Sequence, residues 1–508
     1  MSLTVVIGGI RSGKSAHAER LALASGRAIV YVATADGSDP GMAERIRRHL
    51  ERRPRGWITV QAGDELSSAL GEGGSLIDGL GTWIAGVVER RGAAAADVVA
   101  SEVGRVIEAA RTREVIVVAE EAGQGLLPAS AVGRAWLDLL GEATQRLAAA
   151  AGRVDYVLAG RVISLAGAVD AAVSSELRHH GDGEVRSGER DHAVNVLATG
   201  PPAWLAGVLE DALAHAAGRY PDEAPAVTAL AALHGRDPSE IVPTNGAAEA
   251  LWLLGPALRP RLAACVHPAF TETEAALRMH RVPVVRVHCA PEAGFVLDPA
   301  AVPPAADLVV VGNPASPSGT LHPASALLAL RAPGRTVVID EAFMSLVPGE
   351  PASLVRERLE DVIVVRSLTK LLSIPGLRVG YAVAPPALAR ALRAARPPWS
   401  ANALALAALG AAAEQPGRLR ILAERAAGQG ADLQERLRAV SGIRTWPSVT
   451  NFALIETTDG PRAVARLRAR GIAVRPAASF PGLDQRHIRI TARDPQRNAE
   501  LVSALAES

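Results

Sequence analysis

The N-terminal stretch limits the possible folds more than any other part of the chain. Residues 3–7 form a short β-branched run that passes directly into Gly8-Gly9-Ile10-Arg11-Ser12-Gly13-Lys14-Ser15, and a helix-favouring segment follows over residues 16–24. A strand, a G-x-x-x-x-G-K-S loop and a helix in that order make a phosphate-binding loop, because glycines free backbone N–H groups to wrap phosphates at a helix N-terminus. Lys14 is expected to reach the outer phosphates and Ser15 to ligand Mg²⁺. Further apolar runs at 28–33, 75–77, 115–119 and 154–159 alternate with helix-like segments, so the expected fold is α/β with a mostly parallel sheet. Asp78 closes the third of these runs, in place for Mg²⁺ or a substrate hydroxyl. Glu121, just past the fourth, is a second candidate of the same kind.

A second lysine stands in Ser367-Leu368-Thr369-Lys370-Leu371-Leu372-Ser373-Ile374-Pro375-Gly376-Leu377-Arg378, directly after the apolar run 362–365. An amine at a strand end, flanked by hydroxyls and a guanidinium, suits a pyridoxal phosphate (PLP) site, which needs an imine-forming lysine and partners for a phosphate. The chain is long enough for more than one core at 508 residues, and 49% of them are hydrophobic. A net charge of +1 gives no global attraction to nucleic acid or anionic membrane, and no DNA-binding helix-turn-helix or basic stripe is recognisable. Any anionic ligand is therefore held locally.

Cys265 and Cys289 are the two cysteines, which fits no disulfide framework and suits a reducing cytoplasm. The start, Met1-Ser2-Leu3-Thr4-Val5-Val6-Ile7-Gly8, lacks the basic region of a signal peptide, and the Ala/Leu run 401–413 is too short for a bilayer. The expectation is a cytoplasmic protein with no membrane span.

Tyr31-Val32-Ala33-Thr34-Ala35 is followed by Met42, then Arg45-Ile46, His49 and Arg53-Pro54-Arg55-Gly56-Trp57. With the glycine loop, this order resembles the bifunctional adenosylcobinamide kinase/adenosylcobinamide-phosphate guanylyltransferases of cobalamin biosynthesis. The resemblance spans about residues 1–168. It implies that His49 accepts GMP from GTP, and that Gly8 to Ser15, Thr34, Asp78 and Glu121 contact a nucleotide, GTP or ATP, with Mg²⁺ on Ser15 and Asp78. A neutral imidazole is a competent nucleophile at physiological pH. Gln61 and Glu120 depart from the family's wording, where a glutamate and an asparagine are expected.

Between residues 165 and 194 periodicity is lost and Gly, Asp, Arg and His collect, which places a linker near 166–175. Beyond it lie Arg219-Tyr220-Pro221-Asp222, the small-residue turn Thr244-Asn245-Gly246-Ala247-Ala248, and His267-Pro268-Ala269-Phe270. The runs ending in Gly312-Asn313-Pro314 and Ile339-Asp340-Glu341 place an amide and a carboxylate at strand ends ahead of Lys370. An aspartate facing a pyridine nitrogen keeps it protonated, and an asparagine can bond the ring oxygen.

This set resembles the fold-type I PLP enzymes from about residue 175 onward, with wording nearest the histidinol-phosphate aminotransferases and the threonine-phosphate decarboxylases of cobalamin synthesis. The resemblance implies a unit over 169–508, with a large domain at about 206–390 and a small domain from both flanks. It places the imine at Lys370, the cofactor phosphate on Gly246, Ala247, Ser367 and Arg378, and Phe270 on the ring. Asn313 and Asp340 take the two further cofactor contacts, and Tyr220 reaches in from the neighbouring subunit of a homo-oligomer. Asn195, His180, Arg475 and Arg489 contact the substrate, an arginine being suited to a carboxylate. Phe343 stands where many aminotransferases have a tyrosine, which favours the decarboxylase group.

The two resemblances join in one pathway. The C-terminal half is expected to decarboxylate L-threonine O-3-phosphate to (R)-1-amino-2-propanol phosphate. The N-terminal half is expected to phosphorylate adenosylcobinamide and transfer GMP to it. The alternative keeps both folds and makes the second half an aminotransferase of the histidinol-phosphate type. A third reading is a nucleotide-binding regulator on a PLP-like fold.

Overall fold

A computed structural model of the chain describes residues 3–35, 56–122, 127–167, 177–216 and 218–506. The chain divides into two compact units, Met1–Asp170 and Ala171–Ser508. Residues 168–175 of the expected linker lie outside the described residues.

The first unit is built on strands β1 Leu3–Gly8, β2 Ile29–Ala33, β3 Ile58–Gln61, β4 Gly74–Asp78, β5 Glu114–Glu120, β6 Arg153–Leu158 and β7 Arg161–Gly167. Their order across the sheet is β3-β2-β4-β5-β1-β6-β7. All neighbours pair parallel except β6 and β7. The strands are near-continuous apolar runs because both faces are covered. Alternation along β1 sends Leu3, Val5 and Ile7 into a core with helices Leu80–Arg91, Ala95–Ala109 and Ala131–Ala150. It sends Val6 to the opposite face, against Ala18, Leu21 and Ala22 of helix Lys14–Ala24. The sheet order puts β5 between β1 and β4, so the carboxyl ends of all three converge on the glycine loop.

The second unit opens with the short β8 Arg190–Asp191 and continues through β9 Ile241–Asn245, β10 Ala263–His267, β11 Val284–His288, β12 Leu308–Gly312, β13 Thr336–Glu341, β14 Val362–Ser367 and β15 Val379–Val383. Strands β9 to β15 form one sheet in the order β11-β10-β12-β13-β14-β15-β9. Strand β15 runs antiparallel to both its neighbours, and the other pairs are parallel. Register places Asp340 beside Gly312, and Ser367 beside Gly380. A smaller sheet of β16 Arg444–Thr445, β17 Phe452–Glu456, β19 Arg475–Pro476 and β20 His487–Thr491 follows. Between its strands, β18 Ile472–Ala473 pairs with β8, so the segment before the large sheet folds with the C-terminal region. Among the described residues no helix is long and apolar enough to cross a membrane.

Candidate active sites

In the first unit the glycine loop turns through left-handed backbone at Arg11 (φ 56°) and Gly13 (φ 95°) before helix Lys14–Ala24 begins. A Cβ on Gly8 would lie 2.5 Å from Ser12 Oγ and 2.6 Å from the Val157 carbonyl oxygen, so the turn is closed to any side chain there. Ser12 Oγ is buried without a hydrogen-bond partner among the described residues, and Lys14 Nζ donates to the Gly9 carbonyl at 3.3 Å. Ser15 Oγ donates to Asp78 Oδ1 at 2.8 Å and the Tyr31 hydroxyl donates to Asp78 Oδ2. The Thr34 hydroxyl is used on the Asp78 carbonyl oxygen at 2.8 Å. The fold thus brings Ser15, Thr34 and Asp78 together at the loop.

The carboxylate that β5 delivers beside Lys14 and Asp78 is that of Glu120, whose backbone pairs with Gly8 and whose Oε2 accepts the Gly81 N–H at 2.6 Å. Burial pushes the Glu120 carboxyl up, against the pull of the Gly81 N–H and the Lys14 ammonium. Glu121 is one residue further and donates its N–H to the Gly8 carbonyl at 3.0 Å. His49 lies outside the described residues.

In the second unit the carboxyl ends of the sheet, the turn into helix Gly246–Leu258 and the small sheet enclose a cavity of about 730 Å³. Its lining includes Asp340, Ser367, Lys370, Arg378, Phe270 and Arg489. Burial, then the Arg489 and Arg378 guanidinium groups, lowers the Lys370 ammonium to about 8, with Asp182 opposing. Burial pushes Asp340 up to about 6, against one hydrogen bond from the Ala342 N–H.

At the phosphate end, Gly246 begins its helix at φ 78° and would place a Cβ 2.8 Å from Arg378 Nη2. A Cβ on Gly380 would lie 2.5 Å from the Ala247 nitrogen. These glycines bring the helix N-terminus, Arg378 and Ser367 close enough to share one anion, and free N–H groups in a first helical turn complete such a site. The residues present therefore fit PLP: a low-pKa amine, a phosphate cradle, the aromatic face of Phe270, and a buried carboxyl that lacks a cationic partner.

At the other end Arg489 donates from Nη2 to the Ala193 carbonyl at 2.7 Å and from Nη1 to Ser316 Oγ at 3.4 Å, while Nε has no partner among the described residues. Asn195 accepts the Thr491 hydroxyl at 2.6 Å and keeps its Nδ2 unpartnered. Burial and then Arg475 lower the Arg489 guanidinium to about 9. Arg475 donates to the His179 carbonyl and Ser479 Oγ, each at 2.7 Å. His180 lines the same cavity.

One expected contact is arranged differently. Asn313 is fully buried and does not line the cavity, because its Nδ2 donates to the His322 carbonyl at 3.2 Å and its Oδ1 accepts the His322 N–H at 2.8 Å. The polar group that the bend after β12 turns inward is Ser316, which the sequence reading missed. Tyr220 is exposed and stacks on Trp399 with ring centroids 4.5 Å apart, outside the cavity of its own chain. Phe343 lines the cavity, its ring edge-on to Phe452 at 5.0 Å, and offers no hydroxyl. Among the described residues no group of three or more His, Cys, Asp or Glu side chains is arranged to hold a metal.

Residues 195–505, more than half of the chain, match the family model of class I and II aminotransferases. The chain belongs to that family, which supports PLP as the cofactor of the second unit. Residues 4–165 match the model described as cobinamide kinase / cobinamide phosphate guanyltransferase. A Mycobacterium tuberculosis protein called histidinol-phosphate aminotransferase Rv2231c is 42% identical over 344 residues, covering 67% of this chain and 93% of its own. The threonine-phosphate decarboxylase of Salmonella typhimurium is 31% identical over 332 residues, covering 62% of this chain and 90% of its own. Among solved structures, the L-threonine-O-3-phosphate decarboxylase of Porphyromonas gingivalis superposes with TM-score 0.56 at 26% identity, over 62% of this chain and 97% of that one.

Proposed function

We propose that the chain carries two activities of cobalamin biosynthesis. The second unit decarboxylates L-threonine O-3-phosphate to (R)-1-amino-2-propanol phosphate, and the first phosphorylates adenosylcobinamide and then transfers GMP to it from GTP. The observation that carries the decarboxylase reading is the pair of buried, unpartnered donors Arg489 Nε and Asn195 Nδ2, which suits a carboxylate, in the same cavity as Arg475 and His180 for a second anionic group. The absent hydroxyl at Phe343 and the fusion to a unit acting on the same aminopropanol arm support it further.

In this reading Lys370 holds PLP covalently, Gly246, Ala247, Ser367 and Arg378 hold its phosphate, Phe270 packs on its ring, and Asp340 pairs with its pyridine nitrogen. When bound, PLP supplies the electron-accepting ring that takes up the bond pair left as CO₂ departs. Arg489 and Asn195 hold the carboxylate, and burial keeps water from competing for them. Lys370, poised near pH 8, accepts and returns protons at its Nζ. Tyr220 completes the cavity of a second subunit in a homo-oligomer.

In the first unit, the glycine loop with Lys14 holds the nucleotide phosphates while Ser15 and Asp78 hold Mg²⁺. His49 attacks the α-phosphorus of GTP, releases pyrophosphate and passes GMP to the phosphorylated acceptor. A His49→Ala chain is then expected to take up no label from α-phosphate-labelled GTP.

The second reading, an aminotransferase for histidinol phosphate, draws on the name of the 42% identical Mycobacterium tuberculosis relative. Product identification on the PLP-loaded chain separates the two. Aminopropanol phosphate formed with no keto acid present supports decarboxylation, and glutamate formed in strict dependence on 2-oxoglutarate overturns it.

A further inference from the structure

Glu272 is buried at the start of helix Glu272–Met279, two positions after Phe270, and both of its oxygens are engaged. Oε1 lies 2.7 Å from His180 Nε2, and Oε2 accepts the Trp252 indole N–H at 2.8 Å. The Arg178 guanidinium lies 3.8 Å from Oε1. Burial raises the Glu272 carboxyl, but the hydrogen bonds from His180 and Trp252 outweigh it and hold the group below its usual range. As an ionised acceptor, Glu272 requires the proton on His180 Nε2, and this leaves Nδ1 as the nitrogen with no hydrogen bond among the described residues. The His180 ring also packs against Phe270, centroids 5.7 Å apart, so two contacts fix its orientation at the cavity wall.

We propose that Glu272 is a positioning residue: its hydrogen bond to Nε2 fixes the orientation of the His180 ring so that Nδ1 meets the phosphate of the substrate. An anionic oxygen at Nδ1 requires a proton there, so the bound ring carries both protons, one towards each anion. Glu272 itself borders the cavity, but an ionised carboxylate repels a phosphate, so its effect on such a ligand runs through His180. The inference rests on the reading of the cavity as a site for an amino phosphate.

A double-mutant cycle on the PLP-loaded full-length chain tests it, with Glu272→Gln, His180→Ala and the pair. L-threonine O-3-phosphate and histidinol phosphate are both titrated by their effect on cofactor absorbance, and the tighter ligand of the wild type is used. Glu272→Gln is expected to weaken binding about tenfold, the size of one lost charge-assisted hydrogen bond, and to raise KM with kcat within about twofold. In the His180→Ala background it is expected to change nothing further. Trp252→Phe, which removes the other hydrogen bond of the same carboxylate, is expected to bind like the wild type. Additive losses in the cycle, or equal losses from Trp252→Phe and Glu272→Gln, would show a merely structural carboxylate and overturn the proposal. Failure of the wild type to bind either phosphate would instead remove the amino-phosphate reading, and this inference with it.

Discussion

Asp78 at the glycine loop has one oxygen bonded by Ser15 and the other by Tyr31, whereas Asp340 in the second unit accepts from the Ala342 N–H alone among the described residues. The first carboxylate is satisfied by its own chain; the second is buried at the cost of its charge, and its pKa rises to about 6. Lys370 and Arg489 share that condition: burial lowers both, with Arg489 and Arg378 repelling the first and Arg475 the second, to about 8 and about 9. The contrast separates a site organised before its ligand arrives from one whose electrostatics are completed by a cofactor. A loop of backbone N–H groups needs no buried charge to hold phosphate, while imine chemistry needs an amine that is neutral near physiological pH.

The sharpest break between the centres is expected from paired lysine variants. Lys370→Ala should abolish covalent capture of PLP, read by borohydride trapping, and lower turnover in the second unit by about a thousandfold or more. Nucleotide binding by the first unit should stay within about twofold. Lys14→Ala should do the reverse. Loss of both activities from either variant would mean that the centres are not independent.

Asp340→Asn addresses the uncompensated carboxyl. Its folded pKa of about 6 stands above the ordinary 3.8, so ionisation opposes folding of the cofactor-free protein. The penalty is absent below the ordinary value, grows as pH rises towards about 6, and reaches about 3 kcal/mol above that. Cofactor-free Asp340→Asn should therefore unfold at higher denaturant than cofactor-free wild type at neutral pH, with the difference vanishing near pH 4. Loaded with PLP the order should reverse. A cofactor-free wild type that is as stable as the variant at neutral pH would place a cation beside Asp340 already.

Gly380→Ala should be felt next, because its Cβ has no room beside the Ala247 nitrogen. The displaced helix terminus should cost about 1–3 kcal/mol in stability and weaken PLP binding, with inorganic phosphate competing less well than in wild type. The smallest effect concerns Lys370. Its rate of PLP capture should rise about tenfold between pH 7 and pH 9 and level off beyond, because the neutral fraction of an amine with pKa near 8 saturates there. A rate still climbing at pH 10 would describe an ordinary exposed lysine.

How much of this could be read from sequence differs between the centres for the same reason. The glycine loop is contiguous, and its strand and helix context is local, so Lys14, Ser15 and the sheet type are legible directly. The PLP cavity draws on residues from His180 to Arg489, and only their order along a family pattern makes them visible. The bend after β12, not the residue type, decides which polar group lines the cavity, so that Asn313 bonds His322 while Ser316 faces inward. Glu120 shows its place beside Lys14 and Asp78 only in the folded sheet, where its carboxylate accepts the Gly81 N–H. Glu272 gives no sequence signal, since its partner His180 precedes it by a long stretch and meets it only in the folded unit.

The central claim is that the second unit removes CO₂ from an amino acid phosphate without a second substrate. Its most direct test is release of labelled CO₂ from carboxyl-labelled L-threonine O-3-phosphate by the PLP-loaded chain, with and without 2-oxoglutarate. The account predicts equal release in both, lost in Lys370→Ala. Label retained in the acid, with nitrogen appearing in glutamate only when 2-oxoglutarate is present, would contradict it.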